Sequence, residues 1–155
     1  MVLELASSRT YPVSVEHAYD IVLPMPLAEL LSQRYAVFPA VREVRDQQGA
    51  WGSVGQTRTI ELADGGSIRE TLTRVERPHS FGYRLSDVTG PMKPFVTEVA
   101  GRWSFEPAGT GVRITWAWTV HPRGRLGRLA MPVFARMWTG YARHALERIE
   151  GVLVP

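Results

Sequence analysis

The chain contains no cysteine. That excludes a disulfide framework, a thiolate nucleophile and any zinc site built on sulfur. Lysine is nearly missing as well: Lys93 is the only one, and arginine supplies every other positive side chain. The formal net charge is only +3, and the arginines read as scattered and alternating with acids, a pattern that argues against a nucleic-acid partner. No apolar run is long enough to span a bilayer, and the N-terminus lacks a charged-then-apolar signal pattern. The expectation is a cytoplasmic protein with no transmembrane segment. The four histidines, His17, His79, His121 and His144, show no metal-ligand spacing, and no GxSxG, P-loop, dinucleotide-binding or HExxH pattern occurs. Neither a metal nor a cofactor is expected. There is no internal repeat and no linker, so 155 residues read as one domain, 1–155, with one sizeable core.

What the chain does have is a long amphipathic stretch at its end, residues 124–155. At about 100° per residue, Leu126, Ala130, Val133, Phe134, Met137, Trp138, Tyr141, Ala145, Ile149 and Val152 share one face. Arg125, Arg136, Thr139, Arg143 and Glu150 gather opposite. The apolar arc is roughly 160° wide, more than the roughly 100° of a simple surface helix, which predicts a helix embraced on several sides. Pro132 cannot donate a backbone hydrogen bond, so the regular helix is expected over 132–150, or bent at Pro132, with Gly151 as its stop. The stripe of Arg125, Arg128, Arg136 and Arg143 reads as a solvated face that could also touch anionic lipid.

The preceding residues read mostly as strands. Residues 2–13 form a first strand ending at Pro12. Ser14 is a good N-cap for a short helix to about Leu23, with Glu16 in its first turn and Ala18, Ile21 and Val22 on its inner side. Pro24 and Pro26 break it, and a second short helix, Leu27 to Gln33, follows. Strands are then expected at 41–45, 56–62, 67–75, 80–85, 95–105 (bulged at Gly101) and 112–120. Asp64-Gly65-Gly66 is a hairpin turn, and Ser86–Pro94 is a longer loop. Phe95 and Val96 could form a lid edge. An antiparallel meander with one apolar face must cover it, and the terminal helix is the only large apolar partner. The architecture implied is α+β: a curved antiparallel sheet wrapped around a long C-terminal helix, with two short helices after the first strand.

Period-two alternation assigns the side chains. Phe81, Tyr83 and Leu85 share the concave side with Trp103, Phe105, Trp116 and Trp118. That is either a large aromatic core or an apolar cavity lined by rings. Two charges fall on the same side: Arg58 and Glu70. A hairpin symmetric about Gly65 pairs Ile60 with Glu70 and sets Arg58 diagonally across from it. Buried charge is costly unless paired. The pair either closes the inner face or anchors a ligand at a cavity wall.

The order of elements, the VGQTRTIELADGGSIRETLTRV hairpin, the FGYRL and GTGVRITWAW strands and the terminal helix together resemble the SRPBCC superfamily, the START, birch-pollen-allergen and polyketide cyclase/dehydrase group. The resemblance implies a helix-grip fold with a hydrophobic cavity between sheet and terminal helix, Glu70 facing that cavity, and loops 64–66 and 86–94 flanking its mouth. It implies, first, the binding or carrying of a hydrophobic small molecule such as a lipid, polyketide, isoprenoid or aromatic, by a monomer or homodimer. Arg58, Glu70, Phe81, Tyr83, Trp103, Trp116 and Trp118 would line the sheet side of the site. Phe134, Met137, Trp138 and Tyr141 would line the helix side. A second reading is a metal-free polyketide cyclase/dehydratase that moves protons through Glu70, Tyr83 and His144. A third is a stress or assembly protein with a vestigial cavity.

Overall fold

Alternation carries through to seven strands in one antiparallel sheet. The structure, a computed structural model describing residues 1–35 and 38–155, contains β1 (Leu3–Tyr11), β2 (Val41–Arg45), β3 (Thr57–Leu62), β4 (Ser67–Glu76), β5 (Ser80–Ser86), β6 (Val96–Ala108) and β7 (Gly111–Pro122). In space they run β1-β7-β6-β5-β4-β3-β2. From β2 to β7 each strand neighbours the next, and β1 closes against β7, with Leu3 opposite Val120 and Tyr11 opposite Val112. In β7, Val112, Ile114, Trp116 and Val120 are buried while Arg113 is exposed, so the apolar period-two face is the core face.

Two short helices follow β1. In α1 (Val15–Val22) the Ser14 hydroxyl accepts the His17 N–H at 3.1 Å, and Glu16 lies in the first turn, which serves two of the demands of a helix N-terminus. Its inner side is Ala18, Tyr19 and Val22; Ile21 is only half-buried. Tyr19 goes inside because its hydroxyl donates to the Ser80 carbonyl at 3.0 Å, which removes the cost of burying a phenol. The second helix, α2 (Leu27–Leu30), is a single turn, shorter than the expected Leu27–Gln33.

The terminal helix departs from expectation in length and rotation. It spans α3 (Gly124–Leu153), with Pro132 inside it, rather than starting near Pro132 or stopping at Gly151. Its first turn is held by packing: the Arg123 N–H donates to the Phe95 carbonyl at 2.8 Å, and a Cβ on Gly127 would lie 2.4 Å from that same oxygen. Pro132 is exposed, so the carbonyl one turn back that it leaves without a donor can face water. The buried residues are Met131, Phe134, Trp138, Tyr141, Ala142, Ala145, Leu146, Ile149 and Leu153, with Gly127 and Gly140. Leu126, Val133 and Val152 are exposed, correcting the expected inner face. The buried arc is turned by about 60° from the arc drawn on the sequence.

Polar contacts fix the second half of α3. The Tyr11 hydroxyl donates to the Leu146 carbonyl at 2.7 Å, Arg9 bridges to Glu150 at 2.9 Å, and Arg148 donates to the Glu29 carbonyl at 3.0 Å. Gly140 lies under the Tyr35 ring, where a Cβ would come within 1.9 Å of the phenolic oxygen. No helix among the described residues is long and apolar enough to cross a membrane.

Candidate functional site

Between the sheet and α3 lies a cavity of about 130 Å³. Its sheet wall is Phe81, Tyr83, Trp103, Trp116 and Trp118, its helix wall is Phe134 and Tyr141, and Arg58 and Glu70 stand in the same lining. Val88, Met92 and Val96, from the loop before β6 and its first residue, also reach it. The aromatic wall is ordered ring on ring: Trp103 stacks on Trp116 at 4.8 Å between centroids, and Phe38 on Tyr141 at 4.7 Å.

Arg58 and Glu70 stand directly opposite each other, with Ile60 opposite Ile68. The hairpin is therefore centred on Asp64, not Gly65, and the diagonal arrangement expected from the sequence is replaced by a face-to-face pair. The cause is in the turn: the Asp64 side chain accepts the Gly66 N–H at 2.8 Å and the Leu62 N–H donates to the Gly66 carbonyl at 2.9 Å. The pair is a fork. Arg58 Nε donates to Glu70 Oε1 at 3.0 Å and Nη2 to Oε2 at 3.3 Å, with each side chain 4% exposed. Arg58 Nη1 also donates to Gln47 Oε1 at 3.1 Å, and the guanidinium lies 3.9 Å from the centroid of the Trp51 ring, a cation–π contact. Burial pushes the Glu70 carboxyl above its ordinary range, with the Arg58 charge and hydrogen bonds pulling the other way.

Tyr83 is built differently. In one row across three strands, Tyr83 lies opposite Gly101, and Gly101 opposite Trp118. A Cβ on Gly101 would sit 2.0 Å from Tyr83 Cζ, so the missing side chain is the space that the phenol ring occupies. Gly101 marks no bulge; the irregularity of β6 lies between Val96 and Glu98. Lying across β6, the Tyr83 hydroxyl accepts the Trp116 indole N–H at 2.8 Å and the Trp118 indole N–H at 2.9 Å. Two donors fill the acceptor sites of a phenolic oxygen. The hydroxyl proton has no acceptor among the described residues. Burial, with Glu70 adding to it, drives the phenol's pKa up, so the proton stays on. The Tyr141 hydroxyl also has no partner among the described residues, and burial raises it too.

Three expected site residues fall elsewhere. Trp138 sits behind the wall, its centroid 5.6 Å from Trp116 and 5.7 Å from Trp118, with its indole N–H buried and without a partner among the described residues. Met137 is half-buried beside the core and outside the cavity lining. His144 is exposed, its ring 5.0 Å from that of Tyr35, so it cannot exchange protons with Glu70 or Tyr83 inside. All three follow from the rotation of α3. Trp51, Phe38, Val88 and Met92 line the cavity without having been expected. Trp51 had one signal, a large aromatic in a glycine-rich bend; Val88 and Met92 lie in the loop that the resemblance set at the cavity mouth, though nothing singled out either residue. Among the described residues no group of three or more His, Asp or Glu could hold a metal.

A family profile described as polyketide cyclase / dehydrase and lipid transport matches residues 3–154. No curated protein matches the chain significantly. Among solved structures, it is similar to Ara h 8.0201, with TM-score 0.69 and 17% identity, covering 99% of each chain. It is similar to major latex-like protein 151 from Panax ginseng, with TM-score 0.66 and 10% identity over 99% of each. It is also similar to DynU16, a putative protein in the dynemicin biosynthetic locus, with TM-score 0.60 and 16% identity over 95% of this chain and 47% of that one. At these identities the likeness is one of fold. The sheet gripping α3 and the profile match together place the chain in the SRPBCC superfamily, in its polyketide cyclase/dehydrase and lipid transport family.

Proposed function

We propose that the protein binds and carries a hydrophobic, ring-bearing small molecule in this cavity, held through an acceptor oxygen on the Tyr83 hydroxyl. The observation that carries the reading is the unspent Tyr83 proton. Buried polar groups in folded proteins are almost always partnered, and leaving a donor unsatisfied costs about 1–3 kcal/mol. Apart from the closed Arg58–Glu70 pair, the lining therefore holds two hydroxyls without an acceptor among the described residues, Tyr83 and Tyr141, and the natural partner of the Tyr83 proton is a carbonyl, ether or hydroxyl oxygen on a guest. Size narrows the guest. A cavity of about 130 Å³ is near the ~150 Å³ that accepts benzene and below the roughly 300 Å³ at which pockets for larger ligands begin. A single-ring aromatic fits as the walls stand, and a longer lipid or polyketide requires them to part.

The test uses two probes of nearly equal shape, acetophenone and ethylbenzene, followed through tryptophan emission. Wild type should prefer the ketone by about 2- to 13-fold, the worth of one neutral hydrogen bond of ~0.5–1.5 kcal/mol. Tyr83→Phe should bind both alike. The ratio cancels any general loss of stability in the variant. Binding of neither probe would end the proposal.

A second reading, a cyclase/dehydratase on a poly-carbonyl substrate, draws on one further observation. Glu70 and Tyr83 line the same cavity and burial raises both, so each could hold a proton for transfer. Turnover of a poly-carbonyl substrate by wild type, lost in Glu70→Gln while binding survives, would favour it over carriage.

A further inference from the structure

We propose that the outer face of the first half of α3 docks the protein on an anionic bilayer surface. Leu126, Leu129 and Val133 are 56%, 78% and 59% exposed. Spaced three and four apart, they form one stripe on the helix. The other exposed large hydrophobics of the described residues lie near the chain ends, except Val54, which stands alone in a turn. This stripe is therefore the one apolar cluster left open by a helix that is otherwise well packed.

The segment that carries it is free of acid. From Pro107 to Leu146 there is no Asp or Glu, and Arg123, Arg125, Arg128, Arg136 and Arg143 follow β7 in that span; Arg113, at the other end of β7, is paired with Glu106 at 3.8 Å. Arg125, Arg128 and Arg136 flank the aliphatic stripe. They are exposed and form no ion pair or side-chain hydrogen bond among the described residues. Arginines bordering an exposed aliphatic stripe are the pattern of a helix lying in the lipid headgroup region. The stripe runs along one face of a single helix, and none of its three side chains lines the cavity. A bilayer accepts such a surface, whereas an acidic protein partner requires complementary relief. The face is also next to the cavity. Phe134, in the same turn as Val133, lines it, and so does Met92, in the loop whose Lys93 carbonyl accepts from Arg123 Nε at 2.6 Å.

The test is sedimentation with vesicles of phosphatidylcholine alone or with added phosphatidylserine. Wild type should co-sediment with the anionic vesicles and not with the neutral ones. Each of Arg125→Gln and Arg128→Gln should weaken partitioning about fivefold, and raised salt should release the protein. Leu126→Gln with Leu129→Gln should also release it. These residues are exposed, so the variants should keep wild-type circular dichroism and probe binding in the cavity. That control separates failure of docking from failure of the carrier reading. Equal binding to both vesicle types, no binding to anionic vesicles at low salt, or dimerisation abolished by the leucine variant would each overturn the proposal.

Discussion

Two polar centres on the sheet wall face the same cavity, and they are finished to different degrees. At Arg58–Glu70 the fork, Gln47 and the Trp51 ring together occupy both charged groups. The pair is closed on itself. At Tyr83 two indole N–H groups fill the oxygen and leave the proton with nothing to meet. The difference separates architecture from recognition in a wall where burial alone would not: Arg58, Glu70 and Tyr83 are all inside. A charge must be neutralised where it stands, whereas one neutral hydroxyl can wait for a guest at modest cost.

The contrast can be broken most sharply at Arg58. Arg58→Met should cost on the order of 3–5 kcal/mol in urea unfolding, the usual result of stranding half of a buried pair, while the ketone preference persists. The double variant with Glu70→Gln should recover part of the loss. Little loss of stability together with loss of the ketone preference would make the pair the anchor and reverse the assignment. The same variant carries a pH signature. Burial already raises the Glu70 carboxyl above its ordinary value of 4.5, and Arg58 opposes the rise. Without Arg58 the folded-state value climbs further. A raised value gives stability that is whole below the unfolded pKa and lost as pH rises through the folded one. The gap between wild type and variant should therefore widen from about pH 4.5 upward.

Gly101→Ala should sharpen the other side. The new Cβ would take the place of the Tyr83 ring, so the ring must move and both indole bonds must break. Overpacking of this kind costs about 1–3 kcal/mol, and here the ketone preference should go with it. A variant that retains wild-type discrimination would show that the hydroxyl is not positioned by β6. The smallest effect should appear in alkali. Burial raises the phenols of Tyr11, Tyr83 and Tyr141 above the ordinary value of 10.0. By the same linkage their contribution is intact below pH 10.0 and lost above it. Their phenolate absorbance should appear together with unfolding, not before it.

The strands were legible because a half-buried sheet writes its faces in alternate residues, and so Arg58, Glu70, Phe81, Tyr83 and the tryptophans of β6 and β7 could be set on the inner side from sequence. Register was less legible. It turned on one Asp64 side chain bonding the Gly66 N–H, which moved the hairpin's centre by one residue. The helix was misread for a different reason. Leu126, Val133 and Val152 are apolar but point outward, and a wheel weights them as core. That rotation misplaced Met137, Trp138 and His144. The unpaired Tyr83 proton was beyond reach, because it depends on a glycine in the strand between Tyr83 and the indoles and on where three side chains meet in space.

The closure of β1 against β7 sets a timetable for folding. Leu3 finds its partner at Val120, so the first strand made waits for the last. Pairings so distant in sequence are slow to form, and until β1 arrives the β7 edge offers unpaired backbone groups to any other extended chain. The meander from β2 to β7 can assemble from local hairpins, but the sheet is completed by its most remote contact. The vulnerable species in a cell is then a nearly complete sheet lacking its first strand, and shortening that strand should raise aggregation before it alters the cavity.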